Sequence, residues 1–119
     1  MMMKMPSMTS YKFGEVVLVE FPGIIQTKRR PALIILDIGD ADVVLAPITS
    51  RERFGQGDYK LRDWQFSSLL RESWVRLAKI ACLEKDNIIR RLGWLTNYDK
   101  DMVSQLWSTL FTPALSSLQ

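Results

Sequence analysis

The hydrophobic period of this chain changes once, and the change limits what the chain can fold into. Between Gly14 and Leu95 the apolar residues come in short β-branched or alternating stretches. From Thr96 onward, Met102, Val103, Leu106, Trp107, Leu110 and Phe111 recur at intervals of three and four, the spacing of one helical face. A row of short strands followed by one amphipathic helix predicts a mainly β domain closed by a C-terminal α-helix. Gly14-Glu15-Val16-Val17-Leu18-Val19-Glu20-Phe21 reads as a strand ended by the turn signal Pro22-Gly23. A polar, basic loop up to Arg30 follows. Pro31 then opens the apolar run Ala32-Leu33-Ile34-Ile35-Leu36, a second, well-buried strand. Residues 42–48 make a third, and Gly39-Asp40-Ala41 between them suits a hairpin.

Beyond Ser50 the pattern thins. Residues 59–61 read as a short strand, and residues 64–70 fit either a short helix or a covering loop. Alternation from Ser73 to Ala81 predicts a strand with two usable faces. After a turn at Glu84-Lys85-Asp86-Asn87, residues 88–95 form another strand, in which Gly93 marks a bulge. Thr96 with Asp99 at its third residue resembles a capping box, and the helix is expected to stop before Pro113.

Composition narrows the chemistry. The chain has 119 residues, 47% of them apolar and 24% charged, which suits one globular domain. We expect a flexible tail over residues 1–11, the domain over 12–112 and a C-terminal tail over 113–119. No apolar run approaches the ~20 residues of a membrane helix, and the first residues lack the apolar core of a secretory signal. Cys82 is the only cysteine and there is no histidine. An intrachain disulfide, the usual zinc ligand sets, a histidine-dependent triad and a two-histidine ribonuclease are therefore excluded within one chain; the lone thiol reads as cytoplasmic. No Walker A pattern, Gly-x-Gly-x-x-Gly or carboxylate cluster is present, so no cofactor is expected.

The net charge of +3 is not segregated: residues 1–61 hold eight basic and seven acidic side chains, residues 62–119 eight and six. A polyanion site would have to be a local cluster made by folding. Lys28-Arg29-Arg30-Pro31 reads as a phosphate clamp, with Pro31 holding Arg30 extended, or as a solvated basic loop. Thr49-Ser50 offers two hydroxyls to a phosphate oxygen or simply turns the chain. Ser73 reads first as a strand-start residue. Arg76 and Lys79 fall on opposite strand faces, so a bulge would be needed to bring both to one ligand. Arg90-Arg91 beside Trp94 suits stacking on single-stranded nucleic acid and equally a core or interface tryptophan.

These pieces line up in a known order. Gly14-Glu15-Val16-Val17-Leu18-Val19-Glu20-Phe21, Arg29-Arg30-Pro31-Ala32-Leu33, Ala46-Pro47-Ile48-Thr49-Ser50, Ser73-Trp74-Val75-Arg76-Leu77 and Ile89-Arg90-Arg91-Leu92-Gly93-Trp94-Leu95-Thr96 together resemble the PemK/MazF toxin family over residues 12–111. Asp63-Trp64-Gln65 followed by Leu69-Leu70 is similar to a segment of PemK-like members. The resemblance implies an SH3-like barrel of antiparallel strands with a C-terminal helix, a homodimer and a cognate antitoxin partner. It also implies a sequence-selective, metal-independent endoribonuclease that cuts single-stranded RNA to a 2′,3′-cyclic phosphate and a 5′-hydroxyl. Arg30 takes the place of the family's catalytic arginine and Thr49 that of its catalytic threonine. Ser73 falls where members hold a serine near the scissile phosphate, and Arg76 where some have a catalytic arginine. Lys28, Arg29, Ser50, Ser73 and Lys79 are the expected RNA contacts. The chain departs from the family in two places: Ile24-Ile25-Gln26 stands in a shorter loop before Arg29, and Ala78 stands where some members carry an aspartate. By residue type, Glu20 and Lys79 are the candidates for acid and base. The alternative is a non-catalytic toxin that binds gyrase or another partner, or a plain nucleic-acid-binding barrel.

Overall fold

Apolar residues at consecutive positions of β-strands give the sheet two apolar faces. The structure, a computed structural model, describes residues 9–23 and 25–116, with side chains as far as residue 112. Strand β1 (Glu15–Phe21) pairs antiparallel with β2 (Lys28–Leu36), which pairs with β3 (Asp42–Thr49). Val16, Leu33, Ala46 and Ile48 point to one face, while Val17, Val19, Ala32, Ile34, Val43 and Leu45 point to the other, as a period of two requires. The short strands β4 (Asp58–Lys60) and β5 (Trp74–Arg76) continue the sheet from the end of β3. Strand β6 (Ala81–Glu84) pairs with the start of β3. Strand β7 (Ile88–Trp94) lies on the far side of β1.

The strand order is β4-β5-β3-β2-β1-β7 with β6 also on β3. The fold is thus the expected mainly antiparallel one with a C-terminal helix. The two ends of the strand path, β4 and β7, do not pair, so hydrogen bonds do not close the ring that the word barrel implies.

Helix α1 (Asn97–Ser116) covers the first face. Val103 is fully buried there, and Leu106, Trp107 and Leu110 pack around it, which is the stripe the sequence periodicity predicts. Phe111 is half exposed but stacks on Trp107, with ring centroids 6.3 Å apart. Thr96 caps the helix: its Oγ1 accepts from Asp99 N–H at 3.4 Å. No helix is long and apolar enough to cross a membrane among the described residues.

The structure departs from the sequence expectations in three places and resolves a fourth that they left open. Residues 28–30 extend β2 rather than forming a loop, because they continue its pairing with β1, Lys28 opposite Phe21 and Arg30 opposite Val19. The strand expected from Ser73 to Ala81 breaks after Arg76 into a 3-10 turn, Leu77–Lys79. There Leu77 enters the core and donates its N–H to the Gly57 carbonyl at 2.7 Å. Gly57 sits so close that a Cβ on it would lie 2.7 Å from the Ala78 Cβ. Residues 64–70, which the sequence left open between a short helix and a loop, hold both: a 3-10 turn, Trp64–Ser67, and then a loop whose first residue, Ser68, takes φ 61°. Helix α1 runs through Pro113 to Ser116; the proline has no N–H to give the carbonyl four residues back, at the cost of one ladder bond in the last turns. The bulge predicted at Gly93 is present, since Val16 faces Gly93 and Val17 faces Arg91.

Residues 1–8 of the expected flexible tail lie outside the described residues. Its last residues are tied to the body: Tyr11 N–H donates to Asp37 Oδ2 at 2.8 Å, and the Ser10 carbonyl accepts from Arg91.

Candidate active site

Because β2 is a strand as far as Lys28, alternation puts Lys28 and Arg30 on one face and Arg29 on the other. Arg29 lies opposite Glu20 in the β1–β2 register and forms an exposed ion pair with it, N–O 3.8 Å. Lys28 and Arg30 instead line a cavity of about 690 Å³ at the end of β3. Thr49 enters it from the end of β3 and Ser50 from just beyond, Ser73 from just before β5, and Arg90 with Leu92 from β7. Two further walls come from loops. Arg51 and Arg53 follow β3, while Ser68, Leu69, Leu70 and Arg71 come from the segment before β5.

The lining holds six cations, Lys28, Arg30, Arg51, Arg53, Arg71 and Arg90, and no carboxylate. A net charge of only +3 for the whole chain thus conceals a concentrated positive field at one place. An anion entering here meets donors on several sides and no repelling carboxylate on the wall. Arg53 lies partly buried, and its Nε–H is buried without a hydrogen-bond partner, a donor that a bound anion would satisfy.

The hydroxyls differ in what they can do. Thr49 Oγ1 accepts the Arg51 N–H at 3.1 Å, which uses a lone pair and leaves the hydroxyl hydrogen to donate. Ser73, 4% exposed, spends its hydrogen on the Arg71 carbonyl at 2.8 Å. Its hydroxyl holds the loop that carries Arg71 in place.

Of the residues singled out in the sequence, Lys28, Arg30, Thr49, Ser50 and Ser73 share this cavity, and Arg29, Arg76 and Lys79 are not in its lining. Arg76 Nε bonds Asp58 Oδ1 at 3.3 Å across the β4–β5 pair. Lys79 is exposed on the 3-10 turn that replaces the expected strand. Neither Glu20 nor Ala78 lines the cavity. The Arg90-Arg91-Trp94 patch is divided by the same alternation. Arg90 faces the cavity, whereas Arg91 pairs with Glu15 and lies over the Tyr11 ring at 4.8 Å. Sequence reasoning missed Arg51, Arg53 and Arg71. All three sit in or beside irregular segments with no period to read, and only the meeting of those segments gives them a common target.

A second cavity, about 580 Å³, adjoins the first and shares Lys28 and Arg30 with it. Its other walls are mostly apolar and include Phe21, Pro22, Ile25 and Pro47. Ile25 is almost fully exposed; Ile24, the other isoleucine of the shortened loop, lies outside the described residues.

The family model for PemK-like, MazF-like toxin of type II toxin-antitoxin system matches residues 12–110. Among curated proteins, none matches in sequence. Solved structures match in fold. An endoribonuclease in complex with its cognate antitoxin, from a mycobacterial species, superposes with TM-score 0.70 at 21% identity, covering 87% of this chain and 96% of that one. The Mycobacterium tuberculosis toxin MazF-mt6 gives 0.69 at 18% identity, covering 82% and 96%. A MazE-MazF complex from Deinococcus radiodurans gives 0.70 at 17%, covering 86% and 96%.

Proposed function

This chain belongs to the PemK-like, MazF-like family of type II toxins, and from that premise we infer that it is a sequence-selective endoribonuclease acting on single-stranded RNA. The observation that carries the reading is the meeting of Arg30 and Thr49 in one cavity with five further cations. Cleavage by the neighbouring 2′-hydroxyl requires the phosphate to be held for in-line attack and its added negative charge to be stabilised. The Arg30 guanidinium offers a planar, permanently charged fork to the non-bridging oxygens. Thr49 adds a hydroxyl donor whose oxygen already accepts one bond, from Arg51 N–H. Single-stranded RNA is the substrate that brings both an accessible 2′-hydroxyl and a chain of phosphates for Arg51, Arg53, Arg71 and Arg90. The products are a 2′,3′-cyclic phosphate and a 5′-hydroxyl.

The partners in this reading are an antitoxin and a second copy of the chain. Two of the structural neighbours are complexes with an antitoxin. A cavity this cationic calls for an acidic segment as its inhibitor. Exposed Phe54, Phe66 and Leu70 supply apolar surface for a homodimer.

The absence of a carboxylate from the lining favours a second reading, a toxin on this fold that binds gyrase or nucleic acid without turnover. Purified protein incubated with mixed-sequence single-stranded RNA in EDTA, beside Arg30→Ala, separates the two. Discrete cuts bearing cyclic-phosphate ends that vanish in the variant are expected. Intact RNA from the wild type would overturn the ribonuclease reading.

A further inference from the structure

Cleavage through the 2′-hydroxyl moves two protons, one off the attacking oxygen and one onto the departing 5′-oxygen. An alkoxide leaves slowly unless it is protonated as the bond breaks. Among the described residues that line the two adjoining cavities, the ionisable side chains are Lys28, Arg30, Arg51, Arg53, Arg71 and Arg90. No aspartate, glutamate, tyrosine or cysteine lines either cavity, and histidine is missing from the chain. A guanidinium keeps its proton throughout the range in which proteins work. Only Lys28 can hand over a proton and take it back.

Its placement suits that task. Lys28 lies two residues from Arg30 on the same face of β2, a separation of roughly 6.6 Å along a strand, and both line the wall shared by the two cavities. A phosphate gripped by Arg30 in the larger cavity therefore lies against the wall that also carries Lys28. Arg29, the alternative neighbour, faces away toward Glu20. Among the described residues no carboxylate forms an ion pair with Lys28.

Resting on the ribonuclease reading above, we propose that Lys28 is the general acid of the reaction. The 2′-oxygen forms its bond to phosphorus as the bond from phosphorus to the 5′-oxygen breaks. The 2′-hydroxyl proton passes to solvent water, a proton of the Lys28 ammonium passes to the 5′-oxygen, and water restores the ammonium afterwards. Arg30 and Thr49 stabilise the phosphorane charge and exchange no proton.

The test is an RNA oligonucleotide carrying a bridging sulfur in place of the 5′-oxygen at the mapped cleavage site, beside the ordinary oligonucleotide. A thiolate leaves without being protonated. Lys28→Arg keeps the charge and loses the transferable proton, and Lys28 is exposed, so the variant is expected to fold. Lys28→Arg should cut ordinary RNA about a hundredfold more slowly, with KM little changed, and the sulfur substrate should restore its rate to near that of the wild type. If the wild type cuts RNA and Lys28→Arg cuts it equally fast, or is slowed equally on both substrates, Lys28 is not the acid. A wild type that cuts neither substrate removes the ribonuclease reading itself.

Discussion

The Tyr59 hydroxyl donates to Asp99 Oδ1 at 2.6 Å, joining the short strand β4 to the first turn of helix α1. Asp99 is completely buried, and it also accepts Arg62 N–H at 3.0 Å and Asp63 N–H at 2.8 Å. One carboxylate thus holds the start of the segment that supplies Ser68, Leu69, Leu70 and Arg71 to the cavity wall. Its place in the first helical turn also suits the helix dipole. Burial, then the bond to Asp99, push the Tyr59 hydroxyl well above its ordinary value. Tyr59→Phe should cost about 1.5 kcal/mol, the worth of one hydrogen bond to a charged group. Asp99→Ala strands three donors and should cost at least about 3 kcal/mol. Urea unfolding checks both; equal stability of wild type and Asp99→Ala would refute the anchor.

A second buried charge ties the opposite end of the sheet. Lys85 Nζ and Asp37 Oδ1 are 3.0 Å apart with both side chains 2% exposed, and Asp37 also accepts from Tyr11 and Gly39 N–H at 2.8 Å each. Burial raises the Asp37 carboxyl, but the two backbone donors and the Lys85 ammonium outweigh it and hold it below the ordinary value of 3.8. The sign follows: a depressed folded value gives stability that is full above about 3.8 and is lost as pH falls through the lower folded value. Lys85→Met leaves the carboxylate buried without its countercharge and should cost about 3–5 kcal/mol. It should also make stability fall less steeply as pH drops below about 3.8, because part of the lowering at Asp37 comes from the Lys85 ammonium; urea unfolding at a series of pH values measures this.

At the site, Thr49 and Arg30 should separate by chemistry. Thr49→Val keeps the shape of the side chain and removes the hydroxyl, with an expected loss of about 10²–10³ in kcat. Thr49→Ser should recover most of it. Single-turnover cleavage of RNA measures the loss, and a Thr49→Val protein as fast as wild type would remove Thr49 from the reaction.

Arg71 and Arg90 line the same cavity as Thr49 but come from other segments, and contacts to flanking phosphates predict a defined salt response. Each alanine variant should lower the slope of log affinity against log salt by about 0.7. Affinity for different sequences should weaken about equally, because phosphate contacts carry no base information. Binding of short RNAs by Arg30→Ala double variants, followed across salt concentration, measures this without turnover. Unchanged slopes would place the RNA elsewhere.

Much of this was legible in the residues. Periods of two and 3.6 separate the strands from helix α1, and Pro22-Gly23 and Gly39-Asp40 mark the turns after β1 and β2. Thr96 announces the helix start. Where local pattern and tertiary packing disagreed, packing prevailed. Lys28-Arg29-Arg30 reads as loop because it is polar and lies before a proline, yet it pairs with β1. Residues 73–81 alternate cleanly, yet Leu77 is drawn into the core and the strand breaks.

By itself the sequence determined the fold class, the lack of any histidine chemistry and the likeness to the toxin family, because periodicity, composition and motif order are properties of the chain. Tertiary structure decided which cations share a cavity. Arg30 and Thr49 come from adjacent strands, but Arg51, Arg53 and Arg71 come from irregular segments on either side of β4, and Arg90 from a strand across the sheet. Alternation alone sends Lys28 and Arg30 to one face and Arg29 to the other, and Arg90 and Arg91 apart likewise. A positive field depends on distances in space. Sixteen basic residues spread evenly along the chain make a concentrated positive field only because the fold brings six of them to one cavity.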